Sequence, residues 1–279
     1  MSVWLAILLG LVQGVTEFIP VSSSGHLAAL EQLFHVTCTE QQLLFFNTLL
    51  HLGTLVAVCI VCREDIVKMA RGGVRLLQGQ MDFSVFGDPL IPATRQLLCI
   101  ALGTLPLLLA LLLNRRITPL FAMPGFIGVA MIATGFLLFV CDRMIRPGSK
   151  GPRTITPADG LWIGLAQACA VLPGLSSLAV ALAASLSRGC TRKYALRFSL
   201  LLSIPAVAGA LIVSIVRCLS SGLQWSLLPV FLAGFAVAAV TGVFTIRLLI
   251  RLMQRGKFGH LSTYCWIAGA LTILISVIF

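Results

Sequence analysis

Residues 10–26 read GLVQGVTEFIPVSSSGH. The segment lies inside the first strongly apolar stretch of the chain, yet it carries an amide (Gln13), a carboxylate (Glu17), three serine hydroxyls (Ser22, Ser23, Ser24) and an imidazole (His26). A charged side chain at the centre of a bilayer costs about 2.5–3.5 kcal/mol on insertion scales, so polar groups at that depth normally line a protein-walled, wet cavity. Pro20 stops the helix that carries them, because it lacks a backbone donor. An interrupted backbone at membrane depth survives only when buried in protein or facing water. Residues 3–34 therefore read as a re-entrant helix-loop-helix hairpin rather than as one span, and residues 160–186, broken at Pro173-Gly174, read the same way.

The rest of the chain is continuous apolar sequence. Of 279 residues, 58% are hydrophobic and 10% charged, with a mean hydropathy of +1.03, which excludes an ordinary soluble domain. Windows of about 20 apolar residues, the length that crosses a bilayer, lie at 42–62, 96–114, 119–141, 194–216, 227–250 and 261–279. The predicted fold is all-α and polytopic, with six transmembrane helices and two re-entrant hairpins. The N-terminus reads as mature protein rather than a secretory signal: it has no basic n-region and no small-x-small cleavage site, and it carries Gln13 and Glu17 within its apolar run.

The formal charge of +11 would suit nucleic acid, but its placement argues for a membrane topology instead. Of the 20 basic residues, only Arg115, Arg116 and Arg217 fall on one side. The others fall on the opposite side, which the positive-inside rule assigns to the cytoplasm. Among them are Arg63, Lys68, Arg71, Arg75, Arg95, Arg143, Arg146, Lys150, Arg153, Arg188, Arg192, Arg197, Arg255 and Lys257. Both termini and the Glu17 hairpin then face outward. The nine cysteines are scattered through apolar segments, where a thiol behaves as a small hydrophobe; Cys59-x-x-Cys62 lacks the βαβ context of a redox motif.

The two hairpins belong to a weak internal repeat. Gly10-Leu-Val-Gln13 leads to Pro20 and then Ser23-Ser24, as Gly164-Leu-Ala-Gln167 leads to Pro173 and then Ser176-Ser177. Phe46 with Leu49-Leu50 matches Phe198 with Leu201-Leu202. An odd number of spans separates the copies, so a single membrane domain, 1–279, is expected to comprise inverted repeats 1–141 and 142–279. Such repeats place a binding site near the midplane, where the broken helices meet.

Gln13 and Glu17 are four residues apart, on one helix face, and Pro20 brings the hydroxyls next to them. Phosphoryl transfer needs cationic or metal groups on the phosphate oxygens, a nucleophile, and an acid or base. Glu17 could bind a hard cation or act as base, a serine could attack or donate hydrogen bonds, and His26 could attack or protonate the leaving group. The plainer alternative is a hairpin tip whose serines cap helices while Glu17 pairs with His26.

The segment 10–26 closely resembles the first signature of the undecaprenyl-pyrophosphate phosphatase family of the BacA type, (Glu/Gln)-x-x-x-Glu followed by P-V-S-S-(S/T)-G-H, through Gln13, Glu17, Pro20, Val21, Ser22, Ser23, Ser24, Gly25 and His26. The similarity continues in FNTLLHLGTLVAV from Phe46, in Pro173-Gly174-x-Ser176 and in RFSLLLSIPAVAGA around Phe198. The resemblance implies hydrolysis of a polyprenyl pyrophosphate to the monophosphate carrier at the outer face of a bacterial inner membrane. It also implies a part in cell-wall synthesis and bacitracin resistance, and a divalent cation, Mg²⁺ or Ca²⁺. On the site it implies Glu17, Ser23 and His26 as catalytic residues, with Glu17 also holding the metal. Gln13, Ser22, Ser24, Gly25, Gly174, Ser176 and Ser177 are then expected on the substrate. The expected partners are the lipid pyrophosphate and membrane lipid, with a homodimer as an open option and no nucleic acid.

The second signature departs from the family. P-G-x-S-R-S-x-x-T stands here as Pro173-Gly174-Leu175-Ser176-Ser177-Leu178-Ala179-Val180-Ala181, without the arginine, the second serine or the threonine. An arginine fork on pyrophosphate is not imitated by serine. Arg188, Arg192 and Arg197 follow the hairpin and are read either as replacements or as anchors at the membrane edge. His51 is expected to line the cavity or bond to a carbonyl, Gln167 to bond across its hairpin, and His35 and His260 to be solvated loop residues. Trp162, Trp225 and Trp266 are expected near span ends. The rival class is a lipid-phosphate flippase or a catalytically impaired lipid-binding relative, motivated by the inverted repeat and the altered second signature.

Overall fold

The computed structural model describes residues 1–36, 38–79, 92–112, 119–120, 123–143, 148–221, 225–255 and 259–278. Arg115, Arg116, Arg146 and Lys257, counted above for topology, lie outside the described residues, as do the side chains of Arg217, Arg255 and Trp225. The described residues form eleven α-helices and no strand beyond one isolated bridge. They are α1 Val3–Thr16, α2 Ser23–Leu33, α3 Glu40–Val61, α4 Arg63–Leu77, α5 Pro92–Leu112, α6 Pro124–Arg143, α7 Pro157–Cys169, α8 Ser177–Ser187, α9 Arg192–Ser221, α10 Leu228–Arg255 and α11 Gly259–Ile278.

Six of these, α3, α5, α6, α9, α10 and α11, are long and apolar enough to cross a membrane. The chain is a polytopic membrane protein. Helix starts follow local chemistry: Pro92, Pro124 and Pro157 each occupy the first helical position, where a missing N–H costs nothing. This is why α6 begins at Pro124 rather than at 119 as the apolar window suggests. Large apolar side chains such as Ile212, Phe244 and Leu109 are exposed, as lipid-facing residues are. Helix α4 was not expected, since its basic residues read as a connection. Its charged sequence is amphipathic, burying Met69 and Gly72 while Val67, Val74 and Leu77 stay exposed.

Each broken stretch is two helices joined by a short turn: α1 and α2 around Pro20, α7 and α8 around Pro173. The first arm of each packs on a helix from the other half of the chain, α1 on α10 and α7 on α5. Both contacts depend on missing side chains, because small residues let backbones approach closely when lipid supplies no hydrophobic drive. A Cβ on Gly10 would lie 2.3 Å from the Gly234 carbonyl oxygen, and one on Gly164 would lie 2.1 Å from that of Gly103. Helices α6 and α11 pair in the same manner through Gly128 and Gly269. The second arms, α2 and α8, both rest on α6.

The base of the second hairpin is tied by charge. Asp159, fully buried in the first turn of α7, accepts from Lys150 Nζ at 2.8 and 3.0 Å and from Arg188 Nε, at the end of α8, at 2.7 Å. Burial alone would raise its pKa. The Lys150 and Arg188 bonds, with those from Thr156, outweigh that and hold it at about 2.

Candidate active site

Helix α1 ends at Thr16, and the turn 17–20 delivers the chain to Ser22, which stands at φ +72°. Positive φ in a residue other than glycine is uncommon and costs energy, which marks this tip as structurally special. Ser22 caps α2, its Oγ accepting from Gly25 N at 3.3 Å, and Ser176 caps α8 by accepting from Ala179 N at 3.3 Å. The capping alternative therefore holds for these two serines. Both α2 and α8 start at a tip, so both present positive N-terminal ends there.

Glu17 is the hub of the first tip. Its Oε2 accepts from Ser23 Oγ at 2.6 Å and from Gln13 Nε2 at 3.0 Å. His51, from α3, places Nε2 3.7 Å from the same oxygen while Nδ1 lies 2.8 Å from the Asn47 carbonyl. A carbonyl only accepts, so Nδ1 carries the proton, and the Nε2 of a neutral ring turns a lone pair toward the carboxylate. Of the two expectations for His51, the bond to a carbonyl is made, and the residue is not among the walls of the cleft beside the hairpin tips. The expected pairing of Glu17 with His26 is not made. His26 turns to α11 instead, with Nδ1 2.7 Å from the Ser22 carbonyl and Nε2 2.6 Å from the Tyr264 hydroxyl.

The tips meet. Gly174 N donates to Ser24 Oγ at 3.3 Å across the two halves. Gly174 stands at φ +91°, and Thr134 of α6 latches it, donating to the Gly174 carbonyl at 3.2 Å while accepting from Ser176 N at 3.1 Å. Gly25 packs on Met131 and Ile127 of the same helix, where an added Cβ would lie 3.1 Å from Met131 Sδ and 3.2 Å from Ile127 Cγ2. Beside the tips is a narrow cleft of about 10 Å³, the space of roughly one water. Its walls are Glu17 and Phe18 of the first hairpin, Gln167, Ser177 and Leu178 of the second, and Ser199, Leu200 and Ser203 of α9. The structure thus joins Gln13, Glu17 and Ser23 to Ser177 across the cleft, and Ser22, Ser24 and His26 to Gly174 and Tyr264 at the tip contact.

No wall residue of the cleft is cationic. Ser177, where the family pattern has arginine, is one of those walls. Arg188 is bound to Asp159 and Arg197 to Asp65 at 2.8 Å, so both are engaged at the polar edge. Gln167 does not make the expected bond across its hairpin; its Oε1, like that of Gln13, is buried without a partner. His260 sits in the first turn of α11 rather than a loop, and His35 is exposed. Trp162 is exposed on α7, whereas Trp266 packs on Phe136 and Phe139 inside the α6–α11 pair.

Three contributors escaped the sequence reading. Glu31 on α2 accepts from Asn47 Nδ2 at 2.8 Å, which links a second carboxylate to the His51 carbonyl partner. An acid inside an apolar helix was signal enough to find it. Thr134 and Tyr264 come from distant helices and carry no local signal.

Among the described residues no three His, Cys, Asp or Glu side chains form a metal cluster. The site nonetheless fits a hard cation shared with phosphate, because such ions take one or two protein carboxylates and complete their shell from substrate and water. Glu17 is the carboxylate available for it, with His51 Nε2 3.7 Å away and the Gln13 Oε1 buried without a partner.

Comparison with known proteins agrees with this architecture. Residues 6–271 match the family described as bacitracin resistance protein BacA. A protein of Desulfosudis oleivorans named undecaprenyl-diphosphatase is 37% identical over 275 residues, 97% of both chains. Proteins of the same name from Carboxydothermus hydrogenoformans and Thermomicrobium roseum are 33% and 37% identical, over 99% of this chain and 97% and 98% of theirs. A match of this extent, to the family and to relatives aligned over nearly their whole length, makes this chain a member of the BacA family.

Proposed function

We propose that this protein is an undecaprenyl-diphosphatase of the bacterial inner membrane, hydrolysing a polyprenyl pyrophosphate to the monophosphate carrier and inorganic phosphate. The observation that carries the reading is the meeting of two helix N-termini, at Ser24 and Gly174, beside a carboxylate that already accepts a hydroxyl proton donor at 2.6 Å. Helix N-termini bind phosphate through free N–H groups and the helix dipole. They place positive potential at the tips although the arginine of the family pattern is missing.

In this scheme Ser23 Oγ attacks the terminal phosphorus and passes its proton to Glu17 Oε2, and the bond to the bridging oxygen breaks to release the lipid monophosphate. Water then attacks the phosphoserine, inorganic phosphate departs, and the proton on Glu17 returns to Ser23. Gln13 orients Glu17, His26 exchanges a proton with the leaving side, and Ser24 and Ser177 hold phosphate oxygens, while the tip glycines Gly25 and Gly174, whose N–H groups are given to Ser22 and Ser24, let the two tips come close. Ser22 and Ser176 shape the two N-termini. A divalent cation, Mg²⁺ or Ca²⁺, would be held by Glu17, Gln13 and His51 and would neutralise phosphate charge. The reciprocal packing of α1 on α10 and α7 on α5 supports the inverted repeats 1–141 and 142–279, and the charge asymmetry of the sequence supports a site that faces outward.

The test is phosphate release from a polyprenyl pyrophosphate by the detergent-solubilised protein, with Mg²⁺ or Ca²⁺ and with chelator, beside Glu17→Ala and Ser23→Ala. Each substitution is expected to lower kcat by about 10²–10⁴, and chelator to do the same. Lipid movement across vesicles without phosphate release, or release that is indifferent to Glu17→Ala, would overturn the reading in favour of a flippase or binding protein.

A further inference from the structure

We propose that Tyr264 of α11 is a positioning residue for His26, fixing the tautomer and direction of its ring and remaining its partner whether the ring is neutral or protonated. The role given to His26 rests on the phosphatase reading above; the pairing itself rests on geometry. The two residues are 238 positions apart, and their ring planes lie 9° from parallel with centroids 5.8 Å apart.

The ring is fixed at both nitrogens. Nδ1 lies 2.7 Å from the carbonyl of Ser22 and must be the protonated nitrogen, so Nε2 accepts from the Tyr264 hydroxyl at 2.6 Å. Turning the ring over would put carbon where each nitrogen stands and lose both bonds. A phenol differs from the usual carboxylate partner of histidine in one decisive respect. It donates to a neutral imidazole and accepts from an imidazolium, so it binds both forms and commits the ring to neither. No Lys, Arg, Asp or Glu side chain among the described residues makes a hydrogen bond or ion pair with this ring. The donor and acceptor duties therefore fall on Tyr264 and the Ser22 carbonyl. Tyr264 is 45% exposed, so its hydroxyl has room to turn between the two roles.

Tyr264→Phe keeps the aromatic ring and removes only the oxygen. In the full-length protein it is expected to lower kcat about tenfold to a hundredfold, as misplaced catalytic groups do, with KM for the polyprenyl pyrophosphate within about twofold. Tyr194→Phe serves as control, because the Tyr194 hydroxyl is buried without a hydrogen-bond partner. The second measurement is independent of turnover. The chain holds four histidines, so ring ¹⁵N signals of the histidine-labelled protein can be assigned to His26 through the loss of one set in His26→Asn. Tyr264→Phe is expected to shift the His26 Nε2 signal and leave those of His35, His51 and His260 in place. Unchanged His26 signals would overturn the proposal, as would a rise in KM with kcat intact, which would make Tyr264 a substrate contact. If the wild-type protein releases no phosphate, the phosphatase reading fails by itself, and the ¹⁵N comparison still decides whether Tyr264 governs the ring.

Discussion

Gly174→Ala separates backbone strain from displacement of the second tip, because the protein supplies its own control. Gly174 and Gly189 both stand at positive φ, +91° and +80°, so an alanine at either pays a similar conformational penalty of about 1–2 kcal/mol. Their surroundings differ. A Cβ at Gly189 meets nothing within 4 Å, whereas one at Gly174 would lie 2.4 Å from the Ile127 carbonyl oxygen, 2.9 Å from Ala130 Cβ and 3.0 Å from Ile127 Cα. The nearest contact is backbone of a packed span and has no rotamer to turn away. The tip must therefore retreat by about 1 Å to reach ordinary contact at 3.4 Å. That movement stretches the Gly174–Ser24 bond and the Thr134 latch together. A misplacement of about 1 Å costs on the order of 10² in rate. Gly174→Ala is thus expected to lose about a hundredfold in kcat/KM, measured as phosphate release, while Gly189→Ala stays close to wild type. Thermal unfolding of both variants checks that the folded fraction is matched. Equal activity of the two, within about threefold, would refute the argument that the tip contact positions the substrate.

Two further outcomes follow from the packing and the charges. Asp159→Asn is expected to destabilise the protein by about 2–3 kcal/mol at pH 7, since its pKa of about 2 lies well below the ordinary 3.8. A depressed carboxylate pKa stabilises above the unfolded value and loses that contribution as pH falls through the folded one. The gap between wild type and variant should accordingly close between about pH 4 and pH 2, and a gap that is constant with pH in thermal melts would contradict it. Gly164→Ala, whose Cβ would lie 2.1 Å from the Gly103 carbonyl, is expected to force α7 off α5 at a cost of about 1–3 kcal/mol; an unchanged melting temperature would argue against close backbone packing there.

The sequence was most legible where physics is local. Six apolar windows gave six spans, because hydropathy over about 20 residues needs no partner to be read. Pro20 and Pro173-Gly174 announced the breaks, since a missing donor acts on its own helix. The union of Gln13, Glu17 and Ser23 followed from helical spacing and the turn. What could not be read came from across the bundle. Nothing near His26 tells that its partner is Tyr264 rather than Glu17, and nothing near Gly174 tells that Thr134 holds it. Helix α4 was hidden for a different reason. Its amphipathic pattern is dominated by charge, so counting basic residues for topology obscured a helix that the same residues form.

The exchange of first arms between halves bears on how the protein is made. Helix α1 is synthesised first, but the surface it packs on, α10, begins only at Leu228. At roughly 5–20 residues per second that is a wait on the order of 10–40 s. During this interval Gln13 and Glu17 have their hydrogen-bond partners from the first 51 residues but not the helix that covers α1. Final docking of α1 is therefore a late event in biogenesis, and a chain arrested before α10 holds a complete first signature whose α1 has only α2 and α3 to rest on.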